Sequence, residues 1–179
     1  MLYAFGFERI GVLVSDLYFV DPHPGKGQEG AERGVRLEVR MLEREELRGS
    51  IYSAQPIAVD RPIWRVDLLE SVEGAQGSFD RTHHHPECRG WEPGPRHFVK
   101  ELSANPVEWV GTRLADLEGL LSEVGVDAQA VDRADAAGLR QAVPEILEAI
   151  HRLLDRIRAG ELGQPPVDEP LVNARIGWL

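Results

Sequence analysis

Three consecutive histidines, His83-His84-His85, are the side chains of this 179-residue sequence best suited to chemistry. On an extended backbone successive side chains alternate, so His83 and His85 share one side and His84 takes the other. Two neutral imidazoles on one side offer two nitrogen ligands to a divalent transition metal. His97 offers a third nitrogen, and Glu87 or Glu92 offers a carboxylate that serves as ligand or general base. A remaining coordination position then activates water for hydrolysis, or binds oxygen or substrate. The metal reading therefore names His83, His85 and His97 as ligands and Glu87 and Glu92 as the catalytic carboxylates. The same residues also read as a histidine-rich surface loop with a solvated His84, or as a metal-free acid–base or anion-binding group.

A second group follows directly. Arg89, Trp91 and Arg96 combine guanidinium and aromatic groups suited to an anionic or aromatic ligand through stacking and charge-assisted hydrogen bonds. The competing reading is a long loop pinned to the core by Trp91 and Phe98. Cys88, with a nearby histidine as base, is a weak nucleophile candidate, since no nucleophile elbow surrounds it. The string Gly25-Lys26-Gly27-Gln28-Glu29-Gly30 matches the spacing of a dinucleotide fingerprint. It follows two prolines and precedes a strand, leaving no helix whose N-terminus could face a pyrophosphate, so it reads as a flexible connection.

The histidine stretch resembles the first motif of the cupin family. Gly77 stands six positions before His83, and His83-x-His85 repeats that family's paired-histidine spacing. The resemblance implies a metal held inside a β-barrel by two histidines, a glutamate and a later histidine, and it favours His83, His85 and His97 over His84. Glu87 falls early and Glu92 late for the family's glutamate. His97 follows too closely for the usual second motif, and the chain after it turns helical.

The elements that must position these groups fall into two halves. Ile10 to Val20 reads as a strand ended by Asp21-Pro22-His23-Pro24-Gly25. A Gly-rich loop over 21–34 leads to Val35, Leu37, Val39 and Met41, which alternate with Arg36, Glu38 and Arg40, giving one dry face and one wet face. Leu47–Tyr52 and Ile57–Val59 read as weaker strands. After a turn at Asp60-Arg61-Pro62, Ile63–Leu69 puts Trp64, Val66 and Leu68 on one face and Arg65 and Asp67 on the other. Residues 105–160 read as helix. Asn105, Pro106 and Glu108 form a capping start, and Val110, Leu114, Leu117 and Leu121 recur at helical spacing up to Gly125. Asp127 caps a short segment, and the strongest stripe runs from Pro144 to Arg158, stopped by Gly160 and Gly163; Pro144 either starts this helix or kinks a longer one. An extended tail follows, in which Trp178 is expected to pack.

Strands followed by helices predict one α+β domain over 1–179: a mostly antiparallel sheet in the N-terminal half (β-rich over 1–75), packed against C-terminal helices, with a long loop over 76–104. Lys+Arg 20 against Asp+Glu 30 gives a net charge of −10, and both halves are acidic, which argues against a nucleic-acid partner. One cysteine excludes an intrachain disulfide framework. No apolar run reaches membrane-spanning length, and the expected location is cytoplasmic. The sequence favours a soluble binding or regulatory protein acting on a protein partner or a second copy of itself. The alternative is a small metal-dependent enzyme, a hydrolase, using the His83/His85/His97 cluster and a divalent transition metal.

Overall fold

Alternating apolar and polar residues should build a sheet with one face to bury, and the computed structural model, which describes residues 1–166, shows that sheet. Its strands are β1 (Leu2–Gly6), β2 (Ile10–Val20), β3 (Ala31–Arg44), β4 (Ile57–Ser71) and β5 (His83–His85). They pair antiparallel in the order β1-β2-β3-β4-β5, each strand beside its sequence neighbour. Ile10, Val12 and Val14, then Val35, Leu37 and Val39, then Trp64, Val66 and Leu68 all reach full burial on one face. That face is covered by α1 (Lys100–Ala104), α2 (Pro106–Ala115), α3 (Leu117–Glu123) and α4 (Arg133–Arg158). Ile146, Ile150, Leu153 and Ile157 of α4 recur every three to four residues, with Leu139 two turns earlier, and are buried among them. The chain is α+β, as expected. Among the described residues the sheet is open, with β1 and β5 as its edges, and does not close into the barrel that a cupin-like motif implies.

Several boundaries differ from the sequence reading for identifiable reasons. β1 lacks a strong alternation and was not anticipated; its pairing with β2 supplies the ladder hydrogen bonds that define it. Ile57–Val59 and Ile63–Leu69 form one strand. The expected turn at 60–62 is a register irregularity opposite Arg40, where Pro62 has no N–H to donate. Leu47–Tyr52 is not a strand. It is the exposed tip of the β3–β4 connection, with Ile51 82% and Tyr52 92% exposed. Within the expected loop, β5, a two-stranded ribbon of β6 (Cys88–Arg89) and β7 (Glu92–Pro93), and α1 all form.

Among the helices, Asn105 caps nothing with its side chain, which instead bonds the Glu108 carboxylate. The segment to Gly125 breaks at Asp116, whose carboxylate accepts from the Gly119 N–H and starts α3. α4 begins well before Pro144, at a capping box between Asp132 and Asp135. Pro144 removes one backbone donor but α4 runs through it, held by its apolar stripe. Trp178 and the rest of the tail lie outside the described residues.

Gly34 is where the sheet demands a glycine. A Cβ built there would stand 2.0 Å from the Leu68 carbonyl oxygen, because β3 and β4 approach closely beside the Gly34–Leu69 pair.

Candidate metal centre

The face of the sheet turned away from the helices carries the charges. Register makes two adjacent rows across it. Ser15, Arg36, Asp67 and His83 are cross-strand neighbours in one; Leu13, Glu38, Arg65 and His85 are neighbours in the next. Opposite charges thus face one another from strand to strand, the arrangement that stabilises cross-strand pairs.

Asp67 is the centre of this pattern and is only 1% exposed. Arg36 donates through Nε to Oδ1 at 2.8 Å and through Nη2 to Oδ2 at 3.3 Å. Arg65 donates to Oδ2 through Nε at 3.0 Å and Nη2 at 2.8 Å. Burial works against the charged carboxylate, but Arg36 and Arg65 overcome it and hold Asp67 well below the usual carboxylate range.

Both outward imidazoles converge on the same oxygen. His83 Nε2 lies 3.5 Å and His85 Nε2 3.7 Å from Asp67 Oδ2. Their other nitrogens are already committed. His83 Nδ1 is 2.7 Å from the Arg81 carbonyl, and His85 Nδ1 is 2.7 Å from the Gly94 carbonyl. A carbonyl only accepts, so each Nδ1 carries the proton and donates it. In a neutral ring, Nε2 then presents a lone pair. Burial pushes His83 down to about 4, against the pull of Asp67, so that ring is neutral near pH 7. Its lone pair faces a carboxylate with no proton between them. His85 Nε2 is buried and has no hydrogen-bond partner.

Asp67, His83 and His85 form a group that could hold a divalent cation. The three ligand atoms of Asp67, His83 and His85 lie within 4.8 Å of one another. Two donors each about 2.05 Å from a tetrahedral ion stand roughly 3.3 Å apart, slightly closer than the separations seen here. Nδ1–H bonds to backbone carbonyls are the usual outer support of metal-ligating imidazoles. Oδ2 already accepts from Arg65 Nε and Nη2, with Arg36 Nη2 at 3.3 Å, so an ion bound there would take the place of some of these hydrogen bonds.

Beside the triad is a cavity of about 300 Å³. Arg36, Arg65, Asp67, His83, His85 and Arg96 contribute its polar wall, with Phe19, Leu69 and the prolines of the 93–95 segment as its apolar part. Arg96 bonds the buried Glu32 at 2.9 Å and pairs with Asp21 at 3.4 Å. Arg81 donates to the Gly27 and Glu29 carbonyls and so fastens the Gly-rich loop to the end of β4 and β5.

The remaining candidates fall elsewhere. His97 forms an antiparallel bridge with His84, and their rings lie 5.8 Å apart on the helix side of the sheet. The structure therefore does not bring His97 to His83 and His85. His84 is buried, not solvated. Trp64 Nε1 donates to its Nδ1 at 3.4 Å, Trp109 packs against it, and burial, then His97 and Arg113, push it down to about 4. Glu87 and Glu92 belong to the exposed β6–β7 ribbon; Glu87 stands 4.0 Å from Arg89, which is 88% exposed. Trp91 is 62% exposed beneath the Arg40 guanidinium. Of Arg89, Trp91 and Arg96, Arg96 alone lines the cavity. Burial pushes the Cys88 thiol up, which weakens it as a nucleophile. Asp67, Arg36 and Arg65 were not singled out in the sequence, although the wet-face alternation placed each of them on the right side of its strand.

Comparison of the chain with protein-family models, with curated proteins and with solved structures finds no match. Among the described residues no helix is long and apolar enough to cross a membrane.

Proposed function

We propose that the chain is a small metal-dependent hydrolase whose divalent transition-metal ion is held by Asp67, His83 and His85. The observation that carries this reading is the convergence of two imidazole Nε2 atoms on one buried carboxylate oxygen, with both Nδ1 atoms tied to backbone carbonyls. Three protein ligands leave room for water or substrate, and the adjacent cavity gives access to that position. An ion held there supplies Lewis acidity and lowers the pKa of water. The protein's own part is to fix the imidazole tautomers through Arg81 and Gly94, to keep Asp67 ionised through Arg36 and Arg65, and to limit solvent with the 86–96 segment.

The test is elemental analysis of untagged protein purified without added metal, followed by equilibrium dialysis against Zn²⁺, Co²⁺ and Mn²⁺. One ion per chain, lost in Asp67→Asn, is expected. Protein that binds no ion under any of these conditions overturns the reading. A non-catalytic partner-binding role is favoured by a different observation, the exposed Ile51 and Tyr52 at the β3–β4 tip. It predicts that Ile51→Ser with Tyr52→Ser abolishes association of the chain with itself or with a protein partner while metal content is unchanged.

A further inference from the structure

The cavity wall holds three guanidiniums, Arg36, Arg65 and Arg96, against two carboxylates, Asp21 and Asp67. Glu32, buried behind Arg96, balances the third guanidinium, so what the wall offers an anion is hydrogen-bond donors. Some of those donors are unused. Arg36 and Arg65 each spend Nε and Nη2 on Asp67, and neither Nη1 has a protein hydrogen-bond partner among the described residues. Arg96 is held by Glu32 through Nη1, but its Nη2 contact to Asp21 is a long 3.4 Å. A divalent ion on the triad adds two further positive charges at the same wall.

We infer that the cavity takes a small phosphate-bearing ligand, its phosphate seated between Arg36, Arg96 and the triad. Two features favour phosphate over a carboxylate. A phosphate monoester is a dianion near neutral pH and matches the two charges that a divalent ion on the triad adds. Its several oxygens can accept from arginines that approach from different strands and from the 94–97 segment. A cavity of about 300 Å³ limits the ligand to a small molecule, and Phe19 with Leu69 offers its organic part an apolar wall. The Arg96 guanidinium already lies over the Phe19 ring at 5.5 Å, which keeps it directed across the cavity. Asp21 competes with the ligand for Arg96, so it acts as a built-in placeholder for the anion. The inference deepens the metal-centre reading and rests on it for the net positive charge, while the arginine donors belong to the chain itself.

Calorimetric titration with inorganic phosphate, and in parallel with acetate, tests this on the full chain in chelator-treated and Co²⁺-loaded forms. Phosphate is expected to bind one per chain, at least tenfold tighter than acetate, and tighter again with Co²⁺. Arg96→Gln should weaken phosphate at least tenfold. Asp21→Asn should strengthen it several-fold, and this gain cannot arise from misfolding. Equal affinity for phosphate and acetate, or indifference to both substitutions, overturns the inference. Co²⁺ occupancy is read separately from its visible absorption. Co²⁺ bound without any phosphate affinity sinks the inference and leaves the metal centre. Phosphate bound with the expected response of both variants and no Co²⁺ sinks the metal centre and leaves the anion site.

Discussion

Asp67 and His83 are direct cross-strand partners, and the imidazole Nε2 stands 3.5 Å from the carboxylate Oδ2 while Nδ1 is held by the Arg81 carbonyl. The pair is thus fixed by the β4–β5 register, not by loop conformation. His85, two residues on, repeats the same geometry against the same oxygen at 3.7 Å.

This geometry separates the histidines by function. His83→Ala and His85→Ala should each lower Co²⁺ affinity by at least a hundredfold. His97→Ala, Glu87→Gln and Glu92→Gln should leave it within about threefold, since those side chains lie across the sheet or on the exposed ribbon. Competition against a chromophoric chelator measures all five. Loss of Co²⁺ in His97→Ala would contradict the assignment.

If the proposed ion binds, Arg36 competes with it to neutralise Asp67. Removing one partner of a buried ion pair typically costs about 3–5 kcal/mol. Arg36→Ala should therefore lower the stability of metal-free protein by about 3 kcal/mol, read from urea denaturation. The same variant should bind Co²⁺ more tightly than the parent and regain part of the loss when loaded. A variant that is destabilised equally with and without Co²⁺ would show that the ion does not sit beside this carboxylate.

Acid should destabilise the metal-free protein through its buried neutral imidazoles. His83 and His84 are pushed down to about 4 in the fold, against 6.5 in an unfolded chain. Between those values the unfolded chain binds more protons than the folded one, so stability falls as pH drops from 6.5 towards 4. Urea midpoints at pH 7.5, 6 and 5 should decline in that order, and His84→Gln should flatten the decline. An unchanged slope in that variant would remove His84 as a contributor.

Two further substitutions test packing. Gly34→Ala forces a Cβ onto the Leu68 carbonyl and should cost about 3 kcal/mol or more, by separating β3 from β4 beneath the site. Cys88, with its thiol pushed up by burial, should alkylate slowly at pH 7.5 in folded protein and far faster in urea. Rapid modification of the folded chain would contradict both its burial and its inertness.

The period-two pattern made the sheet readable. Ile10–Val20 is a strand with those bounds, and Arg36, Arg65 and Asp67 point away from Val35, Val66 and Leu68 as the alternation requires. The opposed directions of His83 and His84 were legible for the same reason. What alternation cannot show is which strands are neighbours at which register. Asp67 and His83 are far apart in sequence and become partners only because β5 pairs back onto β4. Proximity in sequence pointed to Glu87, Glu92 and His97 instead. A short ribbon and an antiparallel bridge turn these away from His83 and His85. Pro144 left two readings open, a helix that starts there or a longer one that passes through it; the longer helix forms because a capping box and an apolar stripe outweigh the local breaker.

The two sides of the sheet have divided labour. Trp64, Val66 and Leu68 face the helices, while Arg65, Asp67 and Leu69 on the same strand face the cavity. Exchanging Phe19, Leu69 or Arg96 would reshape what the cavity admits and leave the helix-facing layer untouched. Phe19 belongs to this outer layer alone, whereas exchanging Arg96 would also leave the buried Glu32 without its partner. The outer face is the natural place to redesign its chemistry.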